Sequence, residues 1–413
     1  MPHALIACSH TFTRSLARAC ALVAAFGCGL ALPAGASAQT ALKRIDTVAF
    51  QRTVQALAKE MLVPGVVVLL RTPRGNFDYR YGTSALGGME RVTTSQHIRV
   101  GSNTKTWVGT VILQQASEGL LRLDDPIAKY LPDVPNGERI KIEHLLNMRS
   151  GLFNYSETLE LNETLDREPG KSWKPDELLA IAFRHKPNTY FEPDTDFHYS
   201  NTNTVLLGLL AEKLEHGKPL SQILQDRLFK PLGLKDTLFP DTRDNTLPTP
   251  YARGYMYGDN VSTMPPHQAL PQDAQDNARR GALLPTEQTT VNPSWGWAAG
   301  AGISTADDLL VWVRALVEGK LLPPAMQKAR LDSVRPIQGG AQYGQAIARF
   351  GPLYGHTGEL PGYNSFMGHD PQNKVTLIVW TNLAPSMTGK DPATTIAKAV
   401  IEQLYPAAKP PAP

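Results

Sequence analysis

The chain has 413 residues, 42% hydrophobic and 19% charged, with both charge signs scattered along its length and a net charge of +3. That composition supports a large folded core and excludes a disordered chain or a coiled coil. So small a charge excess creates no basic field, and nucleic acid is not an implied partner.

The first 38 residues contain no acid, carry Arg14 and Arg18, and run apolar from Ala19 to Leu32 before Ala36-Ser37-Ala38. A short apolar run followed by a small-x-small site reads as a secretory signal peptide cleaved near Ala38. The run is shorter than the roughly 20 residues a spanning helix needs, so no stable membrane anchor is expected. The expected location is periplasmic or secreted. Cys8, Cys20 and Cys28 all fall in this segment, so the mature chain has no thiol for disulfides, catalysis or metal ligation.

The rest, 39–405, reads as one domain. A helix is expected over Ile45–Met61, then a hairpin of Gly65–Leu70 and Phe77–Tyr81 across the turn Thr72-Pro-Arg-Gly75. The next helix runs from Ser102 to Glu118 and ends at Gly119. A mainly helical lobe, about 124–300, follows, with helices at Ile142–Met148, Pro175–Phe183, Val205–Leu214 and Leu220–Leu228 and a long aperiodic stretch from Pro240 to Trp295. After a helix at Thr305–Leu316 come strands at Gln342–Phe350, Asn364–His369 and Val375–Thr381, a helix at Thr394–Leu404 and a Pro-rich tail, 406–413. Strands at both ends with helices between imply an α+β fold: an antiparallel sheet built from the two chain ends, flanked by helices, with the helical lobe inserted.

Three short motifs carry the chemistry. Ser102-Asn-Thr-Lys105 places a hydroxyl and an amine one turn apart on one helix face. A lysine in a desolvated site can lose its proton near neutral pH and act as a base. A serine opening a helix also serves as an N-cap, so this pair alone decides nothing. Tyr199-Ser200-Asn201 and His356-Thr357-Gly358, however, are each the one Tyr-x-Asn and basic-Thr-Gly of the chain, and they follow in order. Nucleophile, base and orienter are then all supplied. Trp295, Trp297 and Tyr363 could line a substrate cleft, but aromatic residues near Gly are at least as often core, and no role is assigned to them.

With these motifs the sequence resembles the serine β-lactamase and DD-peptidase superfamily, in the branch holding class C β-lactamases, D-alanyl-D-alanine carboxypeptidases and related esterases. The resemblance implies the β-lactamase/transpeptidase-like fold and acylation of Ser102. It implies that Lys105 and Tyr199 share the proton transfers and that Asn201 orients substrate and Lys105. His356, Thr357 and Gly358 would line the substrate strand, with backbone N–H groups of Ser102 and Glu359 holding the oxyanion. No metal or organic cofactor is implied. The expected substrate is a small molecule or peptide: a D-amino-acid peptide first, with an ester or β-lactam as alternatives.

Two positions depart from the β-lactamase pattern. His356 stands where a permanent ammonium would hold a substrate carboxylate, and an ordinary imidazole is only partly charged at neutral pH. Glu359 shares a strand face with Thr357, and its carboxylate would repel a terminal carboxylate unless bent away or paired, which favours esters or amine-bearing peptides. Other architectures are disfavoured, since Gly-x-Ser-x-Gly and His-Glu-x-x-His are both absent. A non-catalytic module that holds peptidoglycan or a β-lactam in the same cleft is the rival of another class.

Overall fold

The computed structural model describes residues 42–264 and 269–406. The signal segment and all but the first residue of the expected tail lie outside them. The first helix, α1 (Thr47–Glu60), is capped by Asp46, whose carboxylate accepts from the N–H groups of Val48 and Ala49. It leads into a hairpin of β1 (Gly65–Thr72) and β2 (Gly75–Gly82). A 3-10 turn, Gly101–Asn103, opens α2 (Thr104–Ser117). Thr104 to Leu113 are buried without a break, so α2 is a central helix enclosed on every side rather than a surface helix with one apolar face. The helix α3 (Asn201–Leu214) packs across it, and α4 (Ala306–Glu318), capped by Thr305 and ended by Gly319, covers the sheet.

The remaining strands are β3 (Arg335–Pro336), β4 (Gln342–Tyr343), β5 (Ala348–Phe350), β6 (Leu353–Leu360), β7 (Tyr363–Asp370) and β8 (Val375–Thr381), with α5 (Pro392–Leu404) last. They join the hairpin in one antiparallel sheet of order β2-β1-β8-β7-β6-β5-β4-β3. The two chain ends meet at β1 and β8, where Val66 pairs with Thr381 and Leu69 with Ile378. Both strands are near-continuous apolar runs because both sheet faces are covered. Val66, Val68, Leu70, Leu377 and Val379 pack towards α1 and α5. The alternate residues Val67, Leu69, Ile378 and Trp380 pack in the core that holds Trp107 of α2 and Trp312 of α4.

Several boundaries differ from the sequence expectations. The helix expected from Val205 begins at Asn201, because its first N–H is held by the Asn154 side chain, 3.1 Å away. The strand expected over Gln342–Phe350 is split into β4 and β5. Between them Ala346 turns to φ 50°, and its N–H reaches Leu146 O at 2.8 Å. The described residues of 240–295 include a helix at Gln272–Arg279 and strands Tyr255–Met256 and Thr286–Glu287 paired together. Helices at Leu159–Arg167 and Pro324–Asp332 were not read from the sequence.

Candidate active site

Ser102 sits inside the 3-10 turn rather than at a cap: Val100 precedes the turn, Asn103 precedes α2, and neither end is capped by a side chain. The turn is fixed from below. Asn103 Nδ2 donates to Ser365 Oγ on β7 (2.8 Å) and to Val100 O (3.1 Å), while Thr104 Oγ1 donates to Gly101 O (2.7 Å). The first of these bonds ties the turn to β7, and the turn also packs against β6. Two glycines permit the approach: a Cβ on Gly101, whose φ is +54°, would lie 2.4 Å from Glu359 N, and one on Gly358 would lie 1.9 Å from Val100 O. The Glu359 N–H is thereby brought to the backbone one residue before Ser102.

Lys105 is fully buried, and its Nζ lies 2.9 Å from Ser102 Oγ, 2.7 Å from Asn201 Oδ1 and 2.7 Å from Ala299 O. It has no carboxylate partner among the described residues, and burial holds its pKa well below the ordinary lysine range. A neutral amine has two N–H donors and one lone pair. Asn201 Oδ1 and Ala299 O can only accept and take both donors, which directs the lone pair at the Ser102 hydroxyl.

The Asn201 amide cannot flip freely, because a polar chain sets its direction. The Glu157 carboxylate accepts from Asn154 Nδ2 (3.0 Å), Asn154 Oδ1 accepts from Ser156 Oγ (2.9 Å), and Ser156 Oγ accepts from Asn201 Nδ2 (2.9 Å). Tyr190 Oη (2.6 Å) and His198 Nε2 (3.0 Å) also donate to Glu157. Burial works to raise the Glu157 pKa, but these bonds outweigh it and hold the carboxyl below its ordinary value. Glu157→Gln presents an amide to three donors, so one is left unmatched. Acylation should slow by about tenfold, the effect of one misplaced hydrogen bond. Single-turnover rates measured beside the melting temperature check this, and an unchanged rate removes the chain from the mechanism.

Tyr199 is half-buried, with its hydroxyl covered. Burial raises its pKa above the ordinary phenol value, with the facing Ser102 hydroxyl opposing. Among the described residues no group forms a hydrogen bond with its hydroxyl. Its ring lies 4.8 Å from Lys105 Nζ and meets Tyr343 edge-on at 5.9 Å. His356 completes this cluster: Nδ1 donates to Thr357 O (2.6 Å), so Nε2 accepts from Tyr343 Oη (3.1 Å). Burial lowers the His356 pKa to about 3. The imidazole is therefore neutral and braces Tyr199 and Tyr343 rather than presenting charge to a substrate.

Thr357 and Glu359 face the other way, towards the start of α5. Glu359 is reached by solvent yet walled in by protein, and it is hydrogen-bonded to Asp391. Burial, then Asp391, raises its pKa well above the carboxylate range. A second carboxyl beside Glu359 favours its protonated form, which works against the repulsion expected of a free carboxylate. Asn154, Ser156, Glu157, Ala299, Tyr343 and Asp391 escaped the sequence reading, because each acts through a position only the fold brings near. Of the aromatics left open between cleft and core, Trp297 and Tyr363 are buried in the core.

Comparison with known proteins places this arrangement among related chains. The model of the Beta-lactamase family matches residues 50–401. Penicillin-binding protein 4* of Bacillus subtilis (strain 168) is 24% identical over 319 residues, covering 74% of this chain and 65% of its own length. Among solved structures, a D-stereospecific amidohydrolase from Streptomyces sp. superposes with a TM-score of 0.71 at 28% identity, over 86% of this chain and 98% of that one. D-amino acid amidase from Ochrobactrum anthropi SV3, complexed with D-phenylalanine, gives 0.71 at 27% identity, over 86% and 98%. Among the described residues no helix is long and apolar enough to cross a membrane.

Proposed function

Since this chain belongs to the beta-lactamase family, we propose that it is an acyl-enzyme serine hydrolase that cleaves amide bonds next to D-amino acids, most closely a D-alanyl-D-alanine carboxypeptidase-type peptidase acting outside the cytoplasm. The observation that carries this is Lys105: a buried amine 2.9 Å from Ser102 Oγ whose other two partners, Asn201 Oδ1 and Ala299 O, can only accept. Lys105 takes the Ser102 proton as Oγ bonds to the carbonyl carbon. The resulting oxyanion is met by the N–H groups of Ser102 and Glu359. Tyr199 Oη, a phenol, gives its proton to the leaving nitrogen as the C–N bond breaks, and the Lys105 ammonium restores it. Water then takes the leaving group's place, and the same groups run in reverse to free the acid and Ser102.

A protonated phenol beside the nucleophile supports amides over esters, because an amine must be protonated to leave. The D-specific names of the structural relatives support the stereochemistry, and the neutral His356 supports a peptidase over a β-lactamase. Incubation with a fluorophosphonate should give one adduct on Ser102 by intact mass and none in Ser102→Ala. D-peptide amides should be turned over in preference to their L-counterparts. An adduct elsewhere, or equal use of both enantiomers, defeats the proposal.

A further inference from the structure

We propose that the cleft on the outer flank of Tyr199 is the leaving-group subsite and that Arg149 binds a carboxylate there, an inference that rests on the acyl-enzyme reading above. The cleft, about 620 Å³, is lined by Arg149, by the segment 196–199 that ends in Tyr199, and by the segment 336–338. That volume suits a small-molecule group with one charged anchor. Tyr199 forms part of the cleft wall while its hydroxyl stays covered, so the cleft adjoins the group that protonates the departing atom and is the neighbouring space open to the departing portion of the substrate.

Arg149 is 6% exposed, and its backbone is fixed by bonds from its N–H to His144 O and from Asp194 N to its carbonyl, both 2.8 Å. Its guanidinium lies 5.6 Å from the Phe197 ring centre. Among the described residues it makes no hydrogen bond or ion pair, and Nε is buried with no partner. Two acids act on its charge without touching it: Asp194 pairs with Arg335 at 2.6 Å, and Asp196 shares the cleft wall, its Oδ1 accepting from Phe197 N at 2.7 Å.

The other two buried arginines show what a structural role looks like. Arg330 donates to Thr110 Oγ1 (2.7 Å) and Ala346 O (3.1 Å), and Arg99 to Asn245 O (2.7 Å) and Thr289 O (3.2 Å). Arg149 alone keeps its fork free while facing a cleft. An enclosed guanidinium without an acceptor is costly to hold, and its planar donors match a carboxylate in two parallel bonds. A departing amino acid carries such a carboxylate.

The test uses the 3-carboxyphenyl and 3-carbamoylphenyl esters of N-acetyl-D-alanine, which share an acyl group and differ in the charge of the departing phenol. The wild-type chain should prefer the carboxylate ester in kcat/KM by about tenfold or more, the range of a charge-assisted hydrogen bond. Arg149→Met should bring the ratio near unity, and Arg149→Lys should keep part of it. Equal kcat/KM for the two esters in the wild type, or an unchanged ratio in Arg149→Met, overturns the assignment; the first holds even where the variant does not fold. If the wild type hydrolyses neither ester, the acyl-enzyme reading fails instead. Calorimetric binding of both esters to Ser102→Ala then decides the subsite: tighter binding of the carboxylate supports it and equal binding overturns it.

Discussion

Lys105→Met should slow acylation of Ser102 by about a thousandfold, within the range of a lost general base, while leaving a long apolar side chain in the buried slot. Lys105→Arg should be almost as slow, because a guanidinium keeps its proton and cannot accept one from Ser102. The pH profile has a defined sign. The active form is the neutral amine, so below the Lys105 pKa the rate falls about tenfold per pH unit. Burial has lowered that pKa, so the rise occurs at lower pH than for a free lysine. At high pH the rate falls only when Tyr199 loses its proton, and burial displaces that limb above the ordinary phenol range. Stopped-flow acylation with a chromogenic ester over a pH series follows the low-pH arm and single turnovers of a D-peptide amide follow the high-pH arm, with melting temperatures as a fold control. A Lys105→Met rate within tenfold of wild type would move the base elsewhere. The Met variant also leaves Asn201 Oδ1 and Ala299 O without their donor, which costs about 1–3 kcal/mol for each buried acceptor, so some loss of stability accompanies the kinetic loss.

The parts legible in the sequence are those in which neighbours along the chain are also neighbours in space. Ser102 and Lys105 lie on one turn, His356 to Glu359 on one strand, and β1 and β8 each as one apolar run, so pattern and motif reach them directly. The helix α2 was found as a helix, but its burial on all sides was not visible, because an apolar stripe and a fully enclosed helix share the same core residues. What stayed hidden depends on long-range closure. Ala299 contributes a carbonyl, which no side-chain motif can mark. Asn154 and Ser156 lie 47 and 45 residues from the Asn201 they orient, and Tyr343 reaches His356 only because β4 and β5 form a short hairpin around Ala346. Glu359 shows the same limit: its face follows from alternation, whereas Asp391, which neighbours it, is the residue before α5.

Tyr199→Phe should separate amides from activated esters. On a D-peptide amide the loss should be about a hundredfold or more, since the leaving amine has no other proton donor placed beside it. On a p-nitrophenyl ester the leaving group departs as a stable anion, and the loss should stay within about tenfold. Stability should change little. The Tyr199 hydroxyl is covered and meets no protein partner in good geometry, so deleting it strands no donor or acceptor, and the ring keeps its edge-on contact with Tyr343. A kinetic loss without a thermal one would therefore be chemical in origin. The ratio of the two losses then identifies the step. A donor to the leaving group affects amides selectively, whereas a base for Ser102 would slow both substrates equally. Equal losses would transfer the base role from Lys105 to Tyr199 and contradict the proton assignment drawn from burial, in which the amine is the group that gives up its proton and the phenol the one that keeps it.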